Sequence, residues 1–125
     1  MKNKNKILII EDEPILAGMY QDKFENAGFK VFTADEVENG LSIAEKEKPG
    51  LVILDILLPK ENGTSFLKKW RKNAKISSIP VVILSNFDDP QTKEVAKKLG
   101  AKKYLIKTDY EPKDLVKEVN KFLKS

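Results

Sequence analysis

With 125 residues, of which 41% are hydrophobic and 34% charged, the chain is long enough to bury one core and too short for two. It contains no cysteine and no histidine, which excludes disulfides and thiolate metal sites and removes the commonest general base. The net charge of +4 combines 23 basic with 19 interleaved acidic residues, a pattern that is typical of solvated helix faces rather than of a nucleic-acid surface.

The N-terminus carries a basic segment, MKNKNK, and an apolar run over residues 7–10 that Glu11 closes. This run is far shorter than a signal-peptide core or a membrane span. We therefore predict a cytoplasmic protein without a membrane anchor. We also predict a single domain over residues 1–125, because no linker or repeat interrupts the chain and the last helix runs almost to Ser125.

Five apolar runs predict buried strands, and polar segments of helix length separate them. The runs cover residues 7–10, 29–33, 51–54, 81–84 and 104–106. Strands that alternate with helices favour a parallel sheet whose right-handed crossovers cover both faces. The predicted fold class is therefore α/β, with a doubly wound, five-stranded parallel sheet in a three-layer (βα)5 sandwich.

Two of the intervening segments show the spacing of an amphipathic helix. The first carries Leu16, Met19, Tyr20, Phe24 and Ala27, and the last carries Leu115, Val116, Val119, Phe122 and Leu123. Pro14 suits the first turn of a helix, whereas Gly28 and Gly100 stand where helices end in a left-handed residue. Both helices are predicted to lay their apolar faces on the sheet.

Polar side chains follow four of the predicted strands, at the edge where open parallel sheets bind ligands. They are Glu11, Asp12 and Glu13 after the first strand, Asp55 after the third, Ser85 after the fourth and Lys107 after the fifth. Any one of them alone is more often structural than functional. As a set, three of these acids (Glu11, Asp12 and Asp55), a hydroxyl and an amine are expected to converge on one rim.

The predicted cluster of Glu11, Asp12 and Asp55 needs compensating positive charge. At separations of about 5 Å, each pair of carboxylates costs about 3 kcal/mol at an effective dielectric near 20. Lys107 supplies one positive charge, and a divalent ion would neutralise the two negative charges that remain. We predict Mg²⁺, with Mn²⁺ as a substitute, because Mg²⁺ prefers hard oxygen ligands and tolerates a partial protein shell.

Such a site suits phosphoryl transfer to a carboxylate. The metal and Lys107 would offset charge on the phosphoryl oxygens, Asp55 would attack in line, and Ser85 would donate a hydrogen bond to the product. A phosphohistidine donor would bring its histidine on a partner protein, since this chain has none.

Four motifs, in order and suitably spaced, resemble the receiver domains of bacterial two-component response regulators across essentially the whole chain. ILIIEDEP resembles the family's first strand and acidic pair, LVILDILLPKENG its phosphoacceptor strand, and VVILS and YLIK its fourth and fifth strands. The resemblance implies a flavodoxin-like sheet with strand order 2-1-3-4-5. It also implies a stand-alone, chemotaxis-regulator-like phosphoacceptor of a two-component phosphorelay.

Site roles follow from the resemblance position by position. It implies Asp55 as phosphoacceptor, Lys107 as the phosphate-contacting lysine, Ser85 and Tyr104 as switch residues, and Glu11, Asp12, Asp55 and the Leu57 backbone carbonyl as metal ligands. Tyr104 would turn inward when Ser85 moves toward the phosphoryl group. The alternative for Tyr104 is an ordinary half-buried tyrosine of an edge strand.

The resemblance implies a signalling module rather than an enzyme, with self-catalysed phosphoryl transfer and dephosphorylation only. A histidine kinase or phosphotransfer protein would be the donor, and an unidentified protein would receive the signal. The face of helix 4, strand 5 and helix 5 would serve output or a homodimer, with no direct nucleic-acid or membrane contact. Five lysines lie around that face, where we favour solvation over an acidic partner: Lys93, Lys97, Lys98, Lys102 and Lys103.

Three positions depart from the family pattern. Thr108 follows Lys107 where the family usually has a proline, often with a cis peptide bond before it. A cis bond before a residue other than proline costs roughly 3 kcal/mol. Asn86 follows Ser85 where many members have a small residue, so access to the phosphoacceptor is expected to differ. Glu11 replaces an aspartate, and its longer arm leaves open a metal contact through water.

Three other functions compete with this interpretation. The main one is a receiver-like interaction module that signals without phosphorylation, although such a module has little reason to keep three clustered carboxylates. A haloacid-dehalogenase-like hydrolase would need a second aspartate two residues after Asp55, where Leu57 stands. A nucleotide-binding flavodoxin-like domain would need a phosphate loop after the first strand, where Glu11 and Asp12 would repel phosphates.

Overall fold

The computed structural model describes residues 5–124, with side chains described as far as residue 123. Within this range five strands alternate with five α-helices. The strands are β1 (Lys6–Ile10), β2 (Lys30–Ala34), β3 (Leu51–Leu54), β4 (Val81–Ser85) and β5 (Lys103–Ile106). The helices are α1 (Pro14–Asn26), α2 (Val37–Glu47), α3 (Gly63–Lys72), α4 (Pro90–Lys98) and α5 (Pro112–Lys124), with a 3₁₀ turn (Lys107–Asp109) before α5. The predicted domain also includes residues 1–4 and 125, which lie outside the described range.

The five strands form one sheet in the order β2-β1-β3-β4-β5, with every neighbouring pair parallel. This arrangement confirms the predicted doubly wound α/β fold and its strand order. Helices α1 and α5 pack on one face of the sheet, and α2, α3 and α4 pack on the other. No helix of the described residues is long and apolar enough to cross a membrane.

Four of the five strands differ by one residue at one or both ends from the sequence prediction. Strands β1 and β5 each begin one residue earlier, at Lys6 and Lys103. Phe29 was expected in β2, but its N–H donates to the carbonyl of Phe24 at 3.0 Å, as in a helix C-cap. Gly28 provides the left-handed residue of that cap with φ of 100°. Ser85 was expected after β4, but it pairs with Ile106 and is therefore the last residue of the strand.

The apolar face of α1 is narrower than predicted. Tyr20 and Phe24 are buried against the sheet, and Leu16 is partly buried beside them. Met19 was expected on the same face but is 46% exposed, because it precedes Tyr20 by one residue and lies about 100° around the helix. Ala27 falls just beyond the helix, as its C-cap.

The apolar face of α5 is as predicted. Leu115 and Val119 are buried in the core layer shared with α1. Val116, Phe122 and Leu123 are partly buried and pack against the same layer.

Candidate functional site

The carboxyl ends of neighbouring strands meet at one edge of the sheet. The last residues of β1 and β3 are register partners, and so are the last residues of β4 and β5. The N–H of Asp55 donates to the carbonyl of Ile10 at 3.0 Å, so the ladder between β1 and β3 continues one residue past β3. Glu11, Asp55, Ser85 and Lys107 are therefore all brought to this edge.

The ammonium group of Lys107 joins two carboxylates at the edge. Its Nζ lies 2.6 Å from Oδ2 of Asp55 and 2.6 Å from Oε1 of Glu11. The three side chains are 11%, 6% and 3% exposed for Lys107, Asp55 and Glu11, respectively. Solvent and salt screen these ion pairs little at such burial, so Lys107 holds both carboxylates in place.

Backbone N–H groups bind the other oxygen of each carboxylate. Leu57 donates to Oδ1 of Asp55 at 3.2 Å, and Glu13 donates to Oε2 of Glu11 at 3.1 Å. Leu57 thus contacts Asp55 through its N–H, while the predicted metal contact of its carbonyl stays a prediction. Within the described range, every buried side-chain nitrogen or oxygen has a hydrogen-bond partner.

Burial and ion pairing act in opposite directions on the titration of Glu11 and Lys107. Burial raises the pKa of Glu11 above its ordinary value, and the hydrogen bond from Lys107 offsets this only in part. Burial also opposes the charge of Lys107, but its hydrogen bonds to Asp55 and Glu11 outweigh that effect, so the pKa of Lys107 is raised. Lys107 is therefore charged at neutral pH, and a further cation beside Glu11 would stabilise that carboxylate.

A third carboxylate, that of Asp12, completes an acidic cluster. One carboxylate oxygen from each of Glu11, Asp12 and Asp55 lies within 4.8 Å of the others. Asp12 is exposed, and it makes no hydrogen bond or ion pair with the residues that the structure describes. Three carboxylates thus face the single ammonium of Lys107, and the two negative charges left over suit a divalent ion with oxygen ligands.

Ser85 and Tyr104 lie on neighbouring strands and are linked through Phe87. Ser85 is fully buried, and its Oγ accepts the N–H of Phe87 at 3.2 Å. The hydroxyl of Tyr104 donates to the carbonyl of Phe87 at 2.5 Å, and Nζ of Lys93 lies 5.8 Å from the centroid of its ring. The two candidate switch residues are therefore connected by the loop that follows β4.

Sequence reasoning assigned no role to Gly63, the first residue of α3, which supports the position of Asp55. Its N–H donates to the carbonyl of Ile56 at 2.8 Å. A Cβ there would lie 2.5 Å from the carbonyl oxygen of Asp55 and 2.9 Å from Cα of Ile56. Only a residue without a side chain lets α3 begin so close to this backbone. The available signal is a glycine directly after Asn62, a residue type that favours helix N-caps.

The three departures from the family pattern are all engaged in contacts. Asn86 accepts the N–H of Thr108 on its Oδ1 at 3.1 Å, so two of the departures touch each other. The peptide between Lys107 and Thr108 is trans, as are all peptide bonds of the described residues. The carboxylate of Glu11 contacts the ammonium of Lys107.

The lysines near α4 and β5 are partly neutralised. Lys93 pairs with Asp88, and Lys103 lies 3.7 Å from a carboxylate oxygen of Glu118. The remaining three are exposed: Lys97, Lys98 and Lys102. This mixture favours the interpretation of a solvated face.

Comparison with known proteins identifies the family of this chain. The family model for the response regulator receiver domain matches residues 7–120. The alkaline phosphatase synthesis transcriptional regulatory protein PhoP of Bacillus subtilis (strain 168) is 33% identical over 95% of this chain and 48% of PhoP. Protein PilH of Pseudomonas aeruginosa is 33% identical over 94% of this chain and 97% of PilH. The chain spans about half the length of the transcriptional regulators that it matches.

A solved structure shows the same fold. The CheY-like response regulator receiver domain protein from Methanospirillum hungatei JF-1 superposes with a TM-score of 0.89 at 25% sequence identity. The match covers 97% of this chain and 94% of that one.

Proposed function

Because the chain belongs to the response regulator receiver domain family, we propose that it accepts a phosphoryl group on Asp55 and signals through the change in conformation that follows. The observation that carries this proposal is the buried contact of Lys107 with Asp55, next to Glu11 and the exposed Asp12. A carboxylate nucleophile and the charges that phosphoryl transfer requires lie together there. We further propose that the chain acts as a signalling module, with self-catalysed transfer and dephosphorylation only.

The proposed phosphoryl donor is a phosphohistidine of a histidine kinase or phosphotransfer protein. The partner has to supply that histidine, because this chain contains none. A carboxylate oxygen of Asp55 forms a bond to phosphorus while the P–N bond breaks, and the electron pair of that bond leaves with the imidazole. Lys107 places its positive charge beside the phosphoryl oxygens. The N–H of Leu57, which already donates to Oδ1 of Asp55, orients the nucleophile.

The acidic cluster fits Mg²⁺, with Mn²⁺ as a substitute, and its proposed ligands are Glu11, Asp12, Asp55 and the carbonyl of Leu57. Three carboxylates offer hard oxygen donors within 4.8 Å of one another, and Asp12 has no competing partner within the described residues. When bound, the ion offsets negative charge on the phosphoryl oxygens. Glu11 already binds Lys107, so it has to share its carboxylate between the lysine and the ion.

Ser85 and Tyr104 are the proposed switch. The phosphoryl group on Asp55 carries about two negative charges where the carboxylate carried one, and a hydroxyl turned toward its oxygens donates a hydrogen bond. For Ser85 this turn gives up the N–H of Phe87, whose carbonyl also holds the hydroxyl of Tyr104. Movement of one loop therefore releases both residues, which changes the face formed by α4, β5 and α5. That face is the proposed surface for a downstream protein or for a homodimer.

The proposal is tested by incubating the protein with Mg²⁺ and acetyl phosphate and separating the products on a phosphate-affinity gel. We expect a slower, acid-stable band that requires Mg²⁺ and is absent from Asp55→Asn. Asp22→Asn, a change of an exposed aspartate on α1, serves as the matched control and should give the same band as the wild type. If no band forms, even with a panel of histidine kinases as donors, the phosphoacceptor function is wrong and the chain acts as a binding module.

A further inference from the structure

The 3₁₀ turn that begins at Lys107 is capped by a residue from another loop. The N–H groups in the first turn of a helix lack partners within the helix, and the side chain of the N-cap residue usually accepts one of them. Here the N-cap residue is Ile106, whose side chain cannot accept a hydrogen bond. Asn86, in the loop after β4, supplies the acceptor instead, because its Oδ1 lies 3.1 Å from the nitrogen of Thr108.

This contact joins the two loops that carry Ser85 and Lys107. Asn86 directly follows Ser85, and Thr108 directly follows Lys107. Ser85 is also the register partner of Ile106 in the ladder between β4 and β5. The bond therefore continues the connection of the two strands beyond their last paired residues, and a shift of the Lys107 backbone relative to Ser85 must stretch or break it.

We propose that Asn86 is a positioning residue for the phosphorylation of Asp55, and this inference rests on the proposed function. By accepting the N–H of Thr108, Asn86 fixes the backbone from which Lys107 reaches Asp55 and Glu11. The exposed amide of Asn86 acts through Lys107 and does not touch the reacting atoms. The competing explanation is steric, namely that the bulk of residue 86 alone limits access to Asp55.

A double-mutant cycle separates the two explanations. We expect Asn86→Ala to slow phosphorylation by acetyl phosphate about two- to tenfold, the range that one exposed hydrogen bond supplies. Thr108→Pro removes the N–H and also restricts the backbone of Lys107, so the informative quantity is the effect of Asn86→Ala within that background. There, Asn86→Ala should have no further effect. Thr108→Ala is the matched control, because it keeps the N–H and should leave the rate unchanged.

Hydrogen exchange of the Thr108 amide tests the contact without phosphorylation. We expect faster exchange in Asn86→Ala, and protection close to that of the wild type in Asn86→Asp, which keeps the acceptor oxygen. Equal protection in wild type and Asn86→Ala overturns the inference, as does an undiminished effect of Asn86→Ala in the Thr108→Pro background. If the wild type is not phosphorylated although the Thr108 amide is protected, the proposed function fails and the positioning role fails with it, while the contact stands.

Discussion

Lys107 and Asp55 are 52 residues apart in the chain, yet only 2.6 Å separates Nζ of the lysine from Oδ2 of the aspartate. The same ammonium lies 2.6 Å from Oε1 of Glu11. Lys107 thus acts as the internal counter-ion of the unphosphorylated site, and in the proposed function it also contacts the incoming phosphoryl group. A metal ion that binds the same carboxylates would supply part of the positive charge that Lys107 provides as their counter-ion.

Removing the charge of Lys107 should expose this role. Lys107→Met leaves two buried carboxylates without their cation, and we expect the free energy of unfolding in urea to fall by about 3 kcal/mol without Mg²⁺. Saturating Mg²⁺ should restore more stability to this variant than to the wild type. Lys103→Met is the control. The side chain of Lys103 is 50% exposed and its ammonium lies 3.7 Å from a carboxylate oxygen of Glu118, so its loss should cost less than about 1 kcal/mol. Equal losses in the two variants would contradict the prediction.

Replacement of Asp12 should separate metal binding from stability. Asp12 is exposed and adds a negative charge to the acidic cluster, so Asp12→Asn should relieve repulsion and leave the free energy of unfolding without Mg²⁺ no lower than that of the wild type. The same change should weaken Mg²⁺ binding by about tenfold or more, since a charge pair near 4 Å is worth several kcal/mol at the effective dielectric of a protein. Isothermal titration calorimetry measures the affinity, with Asp22→Asn as the control. An unchanged Mg²⁺ affinity in Asp12→Asn would remove Asp12 from the ligand set.

Two glycines should respond in opposite directions to the same substitution. Gly63→Ala places a Cβ 2.5 Å from the carbonyl oxygen of Asp55, so we expect a loss of about 1–3 kcal/mol and slower phosphorylation. Gly18→Ala adds a Cβ within α1 where nothing lies within 4 Å, and it should stabilise the protein by about 0.5–1 kcal/mol. Urea unfolding measures both, and a neutral Gly63→Ala would show that α3 can move away from Asp55 at little cost.

The hydroxyl of Tyr104 should lose its proton at a higher pH than an ordinary tyrosine. Burial, reinforced by the negative charges of Asp55, Asp88 and Asp89, raises the pKa of Tyr104 from 10.0 to about 12. The protonated hydroxyl donates to the carbonyl of Phe87, so the stability that it contributes is present below pH 10 and is lost as the pH rises toward 12. Ultraviolet titration of tyrosinate should therefore show a component near pH 12 that Tyr104→Phe removes. A difference between the two titrations centred near pH 10 would contradict this prediction.

Much of the fold could be predicted from the sequence, because the alternation of apolar runs with amphipathic segments determines which residues are buried in a parallel sheet. Since the carboxyl ends of parallel strands share one edge, the positions of Glu11, Asp55 and Lys107 after three such runs predicted that they meet. The same periodicity misplaced Met19, since spacing alone does not define how wide the buried face of a helix is.

The contacts within the site were decided by the tertiary structure. Lys107 bonds Glu11 as well as Asp55, and both contacts depend on the order of the strands and on where each side chain ends. The sequence around each residue contains neither of these distances. The bond from Thr108 to Asn86 joins loops 22 residues apart, and the place of Gly63 depends on where α3 begins relative to Asp55. Burial and periodicity are properties of each segment by itself, and the sequence by itself determined those. Close approach between segments depends on how they pack together, and only the folded chain establishes it.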